Sequence, residues 1–159
     1  MFKLSREKFE VAQLKALLVN PTHGATVCFE GWVRNHNEGR EVLRLEYEAY
    51  EALALKEGAA IIERAKELFR IDTIICVHRM GLLEIGEAAV WVGAASPHRR
   101  EAFLACSHVI DEVKSRVPIW KYEHYTIGEP EWVRCEACAS HASHHEHGPD
   151  KVHLCATHT

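Results

Sequence analysis

The sequence predicts an α+β domain in which a mixed or antiparallel sheet packs against two long helices. Segments with the two-residue alternation of half-buried strands are interspersed with segments in which apolar residues recur at helical intervals. The strict alternation of strands and helices that builds a doubly wound sheet is missing, so hairpin-paired strands fit better. At 159 residues, the chain has the length at which one main domain is the usual outcome.

Two strands are predicted in the first third of the chain. In residues 25–33 the apolar side chains of Val27, Phe29 and Val33 alternate with other residues, and residues 42–47 alternate in the same way. The polar stretch between the two segments carries asparagine and glycine, which turns favour. We therefore expect these strands to form a hairpin with a long connection.

The first long helix is predicted from Glu48 to Arg70. Apolar residues recur there at mostly helical spacing among good helix formers, and Gly58 is the one weak point. Residues 71–78 and 88–95 are rich in β-branched or apolar residues and follow as strands. The domain should therefore contain at least four strands.

The second long helix is predicted from Pro97 to Val117. Ser96 is a suitable N-cap, and proline is favoured at the first helical position. Pro118 should end the helix, and residues 119–122 should be extended.

The composition changes abruptly after Trp132. The remaining residues are mostly cysteine, histidine, alanine and serine, without an apolar period. We therefore divide the chain into a domain of residues 1–133 and a tail of residues 134–159.

Charge and hydropathy argue against several classes of protein. The net charge is −4, with both signs interspersed, so no broad basic field favours nucleic acid or a membrane surface. The N-terminus lacks the apolar stretch of a signal peptide, and the longest apolar run, Ala88 to Ala95, is too short to span a bilayer. We expect a soluble, cytoplasmic protein. Cys28, Cys76 and Cys106 lie in apolar segments and are expected to be core thiols.

Basic residues are the candidates for chemistry. His98 and Arg99 are predicted in the first helical turn, where the helix dipole disfavours cations and where backbone N–H groups could bind an anion with them. Lys114 and Lys121 flank Pro118, and an aromatic neighbour could partly desolvate Lys121. Arg34 begins the polar loop. Local chemistry leaves solvated side chains as an alternative for each of these residues.

Five motifs in order resemble the MoaE family, the large subunit of molybdopterin synthase. The similarity spans about residues 25–132. The motifs are GA-x3-F-x-G-x-VRNHN-x-G at 24–39, LEYEAY at 45–50, HRMG-x-L-x-IGE at 78–87, SPHR at 96–99 and K-x2-VPIWK-x-E at 114–123.

The resemblance implies a MoaE-like α/β hammerhead fold and a sulfurtransferase that needs no cofactor for catalysis. A small ubiquitin-like, MoaD-like partner inserts a C-terminal Gly-Gly tail, activated as a thiocarboxylate, into this subunit. Sulfur passes to cyclic pyranopterin monophosphate, which becomes molybdopterin. The large subunit forms a homodimer with one partner at each distal end, a heterotetramer that involves neither nucleic acid nor membrane.

The resemblance also assigns roles to individual residues. Lys121 and Lys114 become catalytic, and the substrate-binding set holds the phosphate and the tail. The family's basic residue near the C-terminus, which reaches the neighbouring site, falls closest to Arg134, although the pattern places it nearer Glu136. The substrate-binding residues are Arg34, His98, Arg99, Phe29 and Arg134.

The tail departs from the family pattern. Cys135, Cys138, Cys155 and His158 have the paired spacing of a structural zinc site, and several other histidines could replace the fourth ligand. A disulfide or a loose metal-scavenging tail is the structural alternative. A second function also stays open, in which the domain is a non-catalytic MoaE-like scaffold whose zinc tail binds protein or nucleic acid.

Overall fold

The computed structural model describes residues 1–133, which form an α+β domain of two β-sheets and three helices. The predicted fold class and the two long helices are confirmed. The strands of this part of the chain are β1 (Phe2–Ser5), β2 (Ala25–Trp32), β3 (His36–Asn37), β4 (Arg40–Ala49), β5 (Thr73–Arg79), β6 (Gly81–Glu84), β7 (Ala88–Ser96), β8 (Ile119–Tyr125) and β9 (Glu131–Val133). The helices are α1 (Val11–Ala16), α2 (Glu51–Phe69) and α3 (Arg99–Arg116).

The first sheet is mixed and has the order β1-β5-β7-β2. Strand β1 runs parallel to β5, whereas β5 and β2 each pair antiparallel with β7. The central strands β5 and β7 are buried almost throughout because both faces of the sheet are covered. Helices α2 and α3 cover one face, and residues of the α1 segment cover Trp91 and its neighbours on the other.

Within residues 1–133, the second sheet has five strands. Strands β3, β4, β8 and β9 lie in that order, and β6 also pairs with β4. Its core is a separate apolar cluster. This cluster includes Leu45 and Tyr47 of β4, Leu83 of β6 and Tyr125 of β8. Strand β8 follows α3 directly and runs antiparallel to β4. The end of α3 is thereby placed beside the middle of the second sheet.

The predicted hairpin between the strands at 25–33 and 42–47 is wrong. Strand β2 pairs with β7, and β4 pairs with β8 and β6. The chain leaves the first sheet at Val33, whose N–H donates to the Glu87 carbonyl at 2.9 Å and whose carbonyl accepts from Gly86 at 2.8 Å. Only the two-residue strand β3 forms a hairpin with β4, through a turn in which Glu38 and Gly39 have positive φ.

Helix α3 begins two residues later than predicted. Ser96 is the last residue of β7, His98 is the N-cap, and Arg99 is the first helical residue. The Ser96 hydroxyl accepts from the His98 backbone N–H at 3.2 Å and donates to the His98 carbonyl at 2.5 Å. Ser96 therefore shapes the turn before the helix, and His98 lies outside the first helical turn.

Gly58, the apparent weak point of α2, is a close contact between elements. The residue is buried where β1 packs against α2. A Cβ atom on Gly58 would lie 2.2 Å from Cδ1 of Phe2, far inside van der Waals contact. The packing of the Phe2 ring therefore requires glycine at position 58, although glycine lowers helix propensity.

Candidate active site

Two lysines line one cavity between α3 and β8. Lys114 lies in the last turn of α3, and Lys121 lies in β8, beyond Pro118. The cavity has a volume of about 80 Å³. Its lining consists of Tyr47, His78, Val113, Lys114, Val117, Ile119, Lys121 and Val133. The proline that ends the helix and starts the strand thus brings both ammonium groups to one place.

Lys121 is paired with a buried carboxylate. Its Nζ donates to Oε1 of Glu123 at 2.7 Å, and the Glu123 side chain is 1% exposed. The other carboxylate oxygen accepts from the Tyr125 hydroxyl at 2.7 Å and from Asn37 Nδ2 at 3.1 Å. Burial favours the neutral acid, but hydrogen bonds from Lys121, Tyr125 and Asn37 outweigh it, so the pKa of Glu123 lies below its ordinary value. Glu123 is an anionic anchor for Lys121.

Glu123 is a site residue that the sequence prediction missed. It stands two positions after Lys121 on the same strand, and residues at this spacing share one face of a sheet. An acidic residue two positions from a candidate lysine, on the same face of a strand, is a usable signal. The sequence alone does not reveal its burial, because the covering residues come from β3 and the second-sheet core.

Arg34 borders a second cavity that shares two walls with the first. This cavity has a volume of about 90 Å³, and both Tyr47 and Lys121 line it as well. Arg34 Nη2 donates to Oδ1 of Asn37 at 3.3 Å, and Asn37 in turn donates to Glu123. One chain of hydrogen bonds therefore runs from the guanidinium to the Lys121 ammonium.

The Tyr47 ring lies beside Lys114 and His78. The Lys114 Nζ is 5.9 Å from the centroid of the ring, within the range of a cation–π interaction. The His78 ring makes an edge contact with Tyr47, with centroids 4.9 Å apart and an interplanar angle of 79°. Tyr47 thus forms the common wall against which these groups pack.

His98 and Arg99 lie at the opposite end of α3 from the lysines. At a rise of about 1.5 Å per residue, the helix separates Arg99 from Lys114 by about 22 Å. His98 lines a different groove, together with Arg70 and Arg100. A single chain therefore does not bring this basic pair to the lysine cavity.

The remaining predicted site residues divide into two groups. Phe29 is 38% exposed on β2 and lines neither cavity that contains Lys121. The others belong to the tail and lie outside the described residues. These are Arg134, Cys135, Cys138, Cys155 and His158.

The cysteines of residues 1–133 are not activated nucleophiles. Cys76 and Cys106 are buried, as expected of core thiols, whereas Cys28 is half-buried. Burial raises the pKa of the Cys76 thiol to about 12 and that of Cys106 to about 11. The thiolate is the reactive form, so these thiols are inert near neutral pH.

Residues 1–133 contain neither a metal-binding cluster nor a helix that could span a membrane. No group of three or more His, Cys, Asp or Glu side chains in that range could hold a metal ion. Within the same range, every helix is too short or too polar to cross a bilayer.

The cavity is suited to chemistry on anions. Two ammonium groups and a nearby guanidinium can bind negatively charged groups, and fixed donors in a partly buried site stabilise an oxyanion as it forms. A lysine in such a site can also serve as an acid–base group. The fold and this cavity define a small α+β domain with a lysine-lined cavity whose cationic groups are suited to anionic ligands.

Comparison with known proteins identifies the family. The family described as "MoaE protein" matches residues 4–116. The chain is 36% identical over 138 residues to the molybdopterin synthase catalytic subunit of Nostoc sp., covering 86% of this chain and 84% of the relative. It is 44% identical over 123 residues to that of Pyrococcus abyssi, covering 77% and 83%.

A solved structure of a related protein has a similar fold. The crystal structure of molybdopterin synthase from Staphylococcus aureus is similar with a TM-score of 0.78 at 36% identity, covering 83% of this chain and 96% of that chain. The chain belongs to the MoaE family.

Proposed function

We propose that this chain is the large, catalytic subunit of a molybdopterin synthase. Its relatives in Nostoc sp. and Pyrococcus abyssi carry that name. The observation that carries the proposal is the cavity in which Lys114 and Lys121 meet beside Arg34. A family likeness alone would also fit an inactive scaffold, whereas a buried carboxylate that holds a lysine at a cavity wall fits an enzyme.

The reaction transfers sulfur from a thiocarboxylate to cyclic pyranopterin monophosphate. In each of two such transfers, a carbon–sulfur bond to the pterin forms while a carbon–oxygen bond at that carbon breaks, and the oxygen leaves with the phosphate or as water. The bond between sulfur and the acyl carbon of the donor then breaks. Water supplies the oxygen of the released carboxylate. Negative charge develops on the acyl oxygen when water attacks, and we assign its stabilisation to the Lys121 ammonium. We assign Lys114 to acid–base chemistry or charge stabilisation in the same cavity.

We assign phosphate binding to basic residues around the lysines. Arg34 borders the cavity next to Lys121 and can donate two hydrogen bonds to a phosphate. We place Phe29 and Arg134 in the substrate-binding set on the family resemblance. His98 and Arg99 are too far along α3 to act with the lysines of the same chain, so we propose that they serve the cavity of a second copy.

The sulfur donor is a separate chain. We propose a small ubiquitin-like, MoaD-like subunit with a C-terminal Gly-Gly, whose extended tail is narrow enough to reach the lysine cavity. Two large and two small subunits then form a heterotetramer. We place this assembly in the cytoplasm, where the free thiols of residues 1–133 stay reduced.

Zinc is proposed for the tail on sequence spacing. Cys135, Cys138, Cys155 and His158 supply the thiolate and imidazole ligands that zinc prefers, in two close pairs. The role we assign to the metal is structural.

Replacement of Lys121 tests the proposed function. Purified Lys121→Ala protein, the thiocarboxylated small subunit and cyclic pyranopterin monophosphate are mixed, and molybdopterin is measured. The rate should fall on the order of 100-fold or more, because a preorganised charge is lost from the reacting centre. Affinity for the small subunit should stay close to that of the wild type. Lys56→Ala, an exposed lysine of α2, is the matched control.

A second variant protects this test against misfolding. Removal of Lys121 leaves Glu123 buried without its cation, which can destabilise the protein. The Lys121→Ala/Glu123→Gln double variant removes both charges, and thermal melting reports its stability. Rates of either folded variant within a few-fold of Lys56→Ala would exclude Lys121 from catalysis. A wild-type protein that makes no molybdopterin would support the scaffold alternative.

A further inference from the structure

His78 is a buried polar residue of the lysine cavity that the proposed chemistry leaves unused. It lies near the end of β5, is 1% exposed, and lines the cavity together with Lys114 and Lys121. The strand residues just before it are apolar, with Ile74, Ile75 and Val77 in the core. A histidine at the point where a core strand meets the cavity therefore needs an explanation.

The hydrogen bonding of His78 defines its tautomer. Nδ1 lies 2.8 Å from the carbonyl oxygen of Arg79, and a carbonyl can only accept, so Nδ1 carries the proton. Burial, with a smaller contribution from the positive charge of Lys114, lowers the pKa of His78 to about 3. Near neutral pH the ring is uncharged, and Nε2 carries a lone pair.

Two contacts fix the ring in place. The Nδ1 hydrogen bond holds one edge to the backbone, and the Tyr47 ring packs against His78 at 4.9 Å. Among the described residues that line this cavity, His78 is the only one that offers a neutral nitrogen acceptor. The wall that follows Lys114 along the chain is apolar, with Val117 and Ile119. The Lys114 ammonium and the Nε2 acceptor of His78 therefore belong to the same cavity.

We propose, on the basis of the sulfurtransferase function above, that His78 is a positioning residue whose Nε2 accepts a hydrogen bond from Lys114. The Lys114 side chain has four rotatable carbon bonds, and a fixed acceptor restricts the direction of its ammonium. A neutral ring does this without repelling the cation. His78 acts through Lys114 and does not touch the reacting atoms.

Two amide substitutions separate this role from a structural one. In His78→Asn the amide N–H lies near the position of Nδ1, so the bond to Arg79 can persist, but nothing replaces Nε2. In His78→Gln the longer side chain brings an amide oxygen to the position of Nε2, and the Nδ1 donor is lost. A structural role therefore favours Asn, whereas the positioning role favours Gln.

The measurement is molybdopterin formation by the complete two-subunit enzyme, with melting temperatures for both variants. His78→Gln should keep kcat within a few-fold of the wild type. His78→Asn should lose kcat on the order of 100-fold with little change in KM, because misdirected catalytic groups cost about this much. Equal rates for the two variants, or a faster Asn variant, would overturn the proposal. A wild type without turnover would instead overturn the sulfurtransferase function.

A measurement on the folded protein keeps the proposal testable if both variants are unstable. Nitrogen-15 NMR of histidine distinguishes the protonated Nδ1 from the unprotonated Nε2 of the wild type. The Nε2 resonance of His78 should shift when Lys114→Met removes the donor, while Nδ1 stays unchanged. An Nε2 resonance that is the same in both proteins would overturn the proposal.

Discussion

At the residue scale, burial determines the charge of two side chains around the lysine cavity in opposite ways. His78 has no anionic partner among residues 1–133 and is kept neutral by desolvation. Glu123 is equally inaccessible but stays ionised because three donors surround its oxygens. The same low-polarity setting therefore supplies one neutral acceptor and one fixed anion, and each is next to a lysine.

The lowered pKa of His78 predicts a pH dependence of stability. The unfolded histidine binds a proton below about pH 6.5, whereas the folded one does so only near pH 3. The contribution of the neutral His78 ring to the free energy of unfolding is therefore fully present above about pH 6.5. It is lost as the pH falls through this window. Between pH 7 and 5 the wild type should lose about 2 kcal/mol more free energy of unfolding than His78→Gln.

Urea unfolding at the two pH values checks this expectation. His36→Gln, which removes an exposed histidine, is the control and should behave like the wild type. Glu123 contributes little to the difference between pH 7 and pH 5. The stability that its carboxylate supplies is lost only below about pH 4.5, the ordinary pKa of a glutamate. Equal losses for the wild type and His78→Gln would show that His78 is protonated in the folded protein.

The sequence predicted part of the lysine cavity. Lys114 and Lys121 could be noticed because they flank Pro118, which ends a helix, but only the family resemblance singled them out as catalytic. Glu123 and His78 could not be chosen on the same grounds. Their roles depend on burial by β3 and β4, which are distant in the chain, and no local pattern encodes it.

At the element scale, the contact between β1 and α2 makes a prediction about Gly58. Glycine to alanine in a helix usually stabilises by up to about 1 kcal/mol. Here the added Cβ meets the Phe2 ring at 2.2 Å, so Gly58→Ala should instead destabilise the domain by about 1–3 kcal/mol. Denaturant unfolding of the purified protein measures the change.

A double-mutant cycle isolates the cause of the Gly58 effect. In a Phe2→Ala background the ring is gone, so Gly58→Ala should cost much less or become stabilising. The same cost in both backgrounds would mean that the clash with Phe2 is not responsible.

Elements differed in how well the sequence predicted them. Strands β5 and β7 and helices α2 and α3 follow from long apolar patterns, because they are buried against several neighbours. The short strands β1, β6 and β9 were missed, since each forms only by pairing with one longer strand. The hairpin at β2 was predicted wrongly because the partner of β2 is β7, which is distant in sequence.

At the scale of the whole molecule, the length of α3 predicts that active sites are shared between chains. Lys121→Ala and Arg99→Ala homodimers should each be impaired, Arg99→Ala through weaker substrate binding. After co-refolding at equal amounts, half of the dimers are mixed, and each mixed dimer has one site with both residues intact. The mixture should therefore recover about a quarter of wild-type activity.

The recovery is measured below KM, where weakened substrate binding reduces the rate most clearly. The two homodimer preparations, mixed without refolding, are the control. An activity no higher than the average of the separate variants would place His98 and Arg99 outside the neighbouring site.

The tail makes a prediction about metal content. Protein purified without chelator should contain about one zinc per chain, because four suitable ligands stand in two close pairs. Cys135→Ser combined with Cys138→Ser should lose the metal without unfolding residues 1–133, and its activity should weaken. Cys28→Ser, at a half-buried position of β2, should keep it. Elemental analysis that finds no metal in the wild type would contradict the zinc assignment.

Tyr47 and Lys121 each line both cavities and form a common partition between them. A ligand that shifts either side chain changes the shape and charge that a second ligand meets. Thermodynamic linkage then requires the effect to be mutual and equal in size: if one occupant tightens binding of the other tenfold, the reverse also holds. The order in which donor tail and pterin arrive would alter the route to the ternary complex, but not its final free energy.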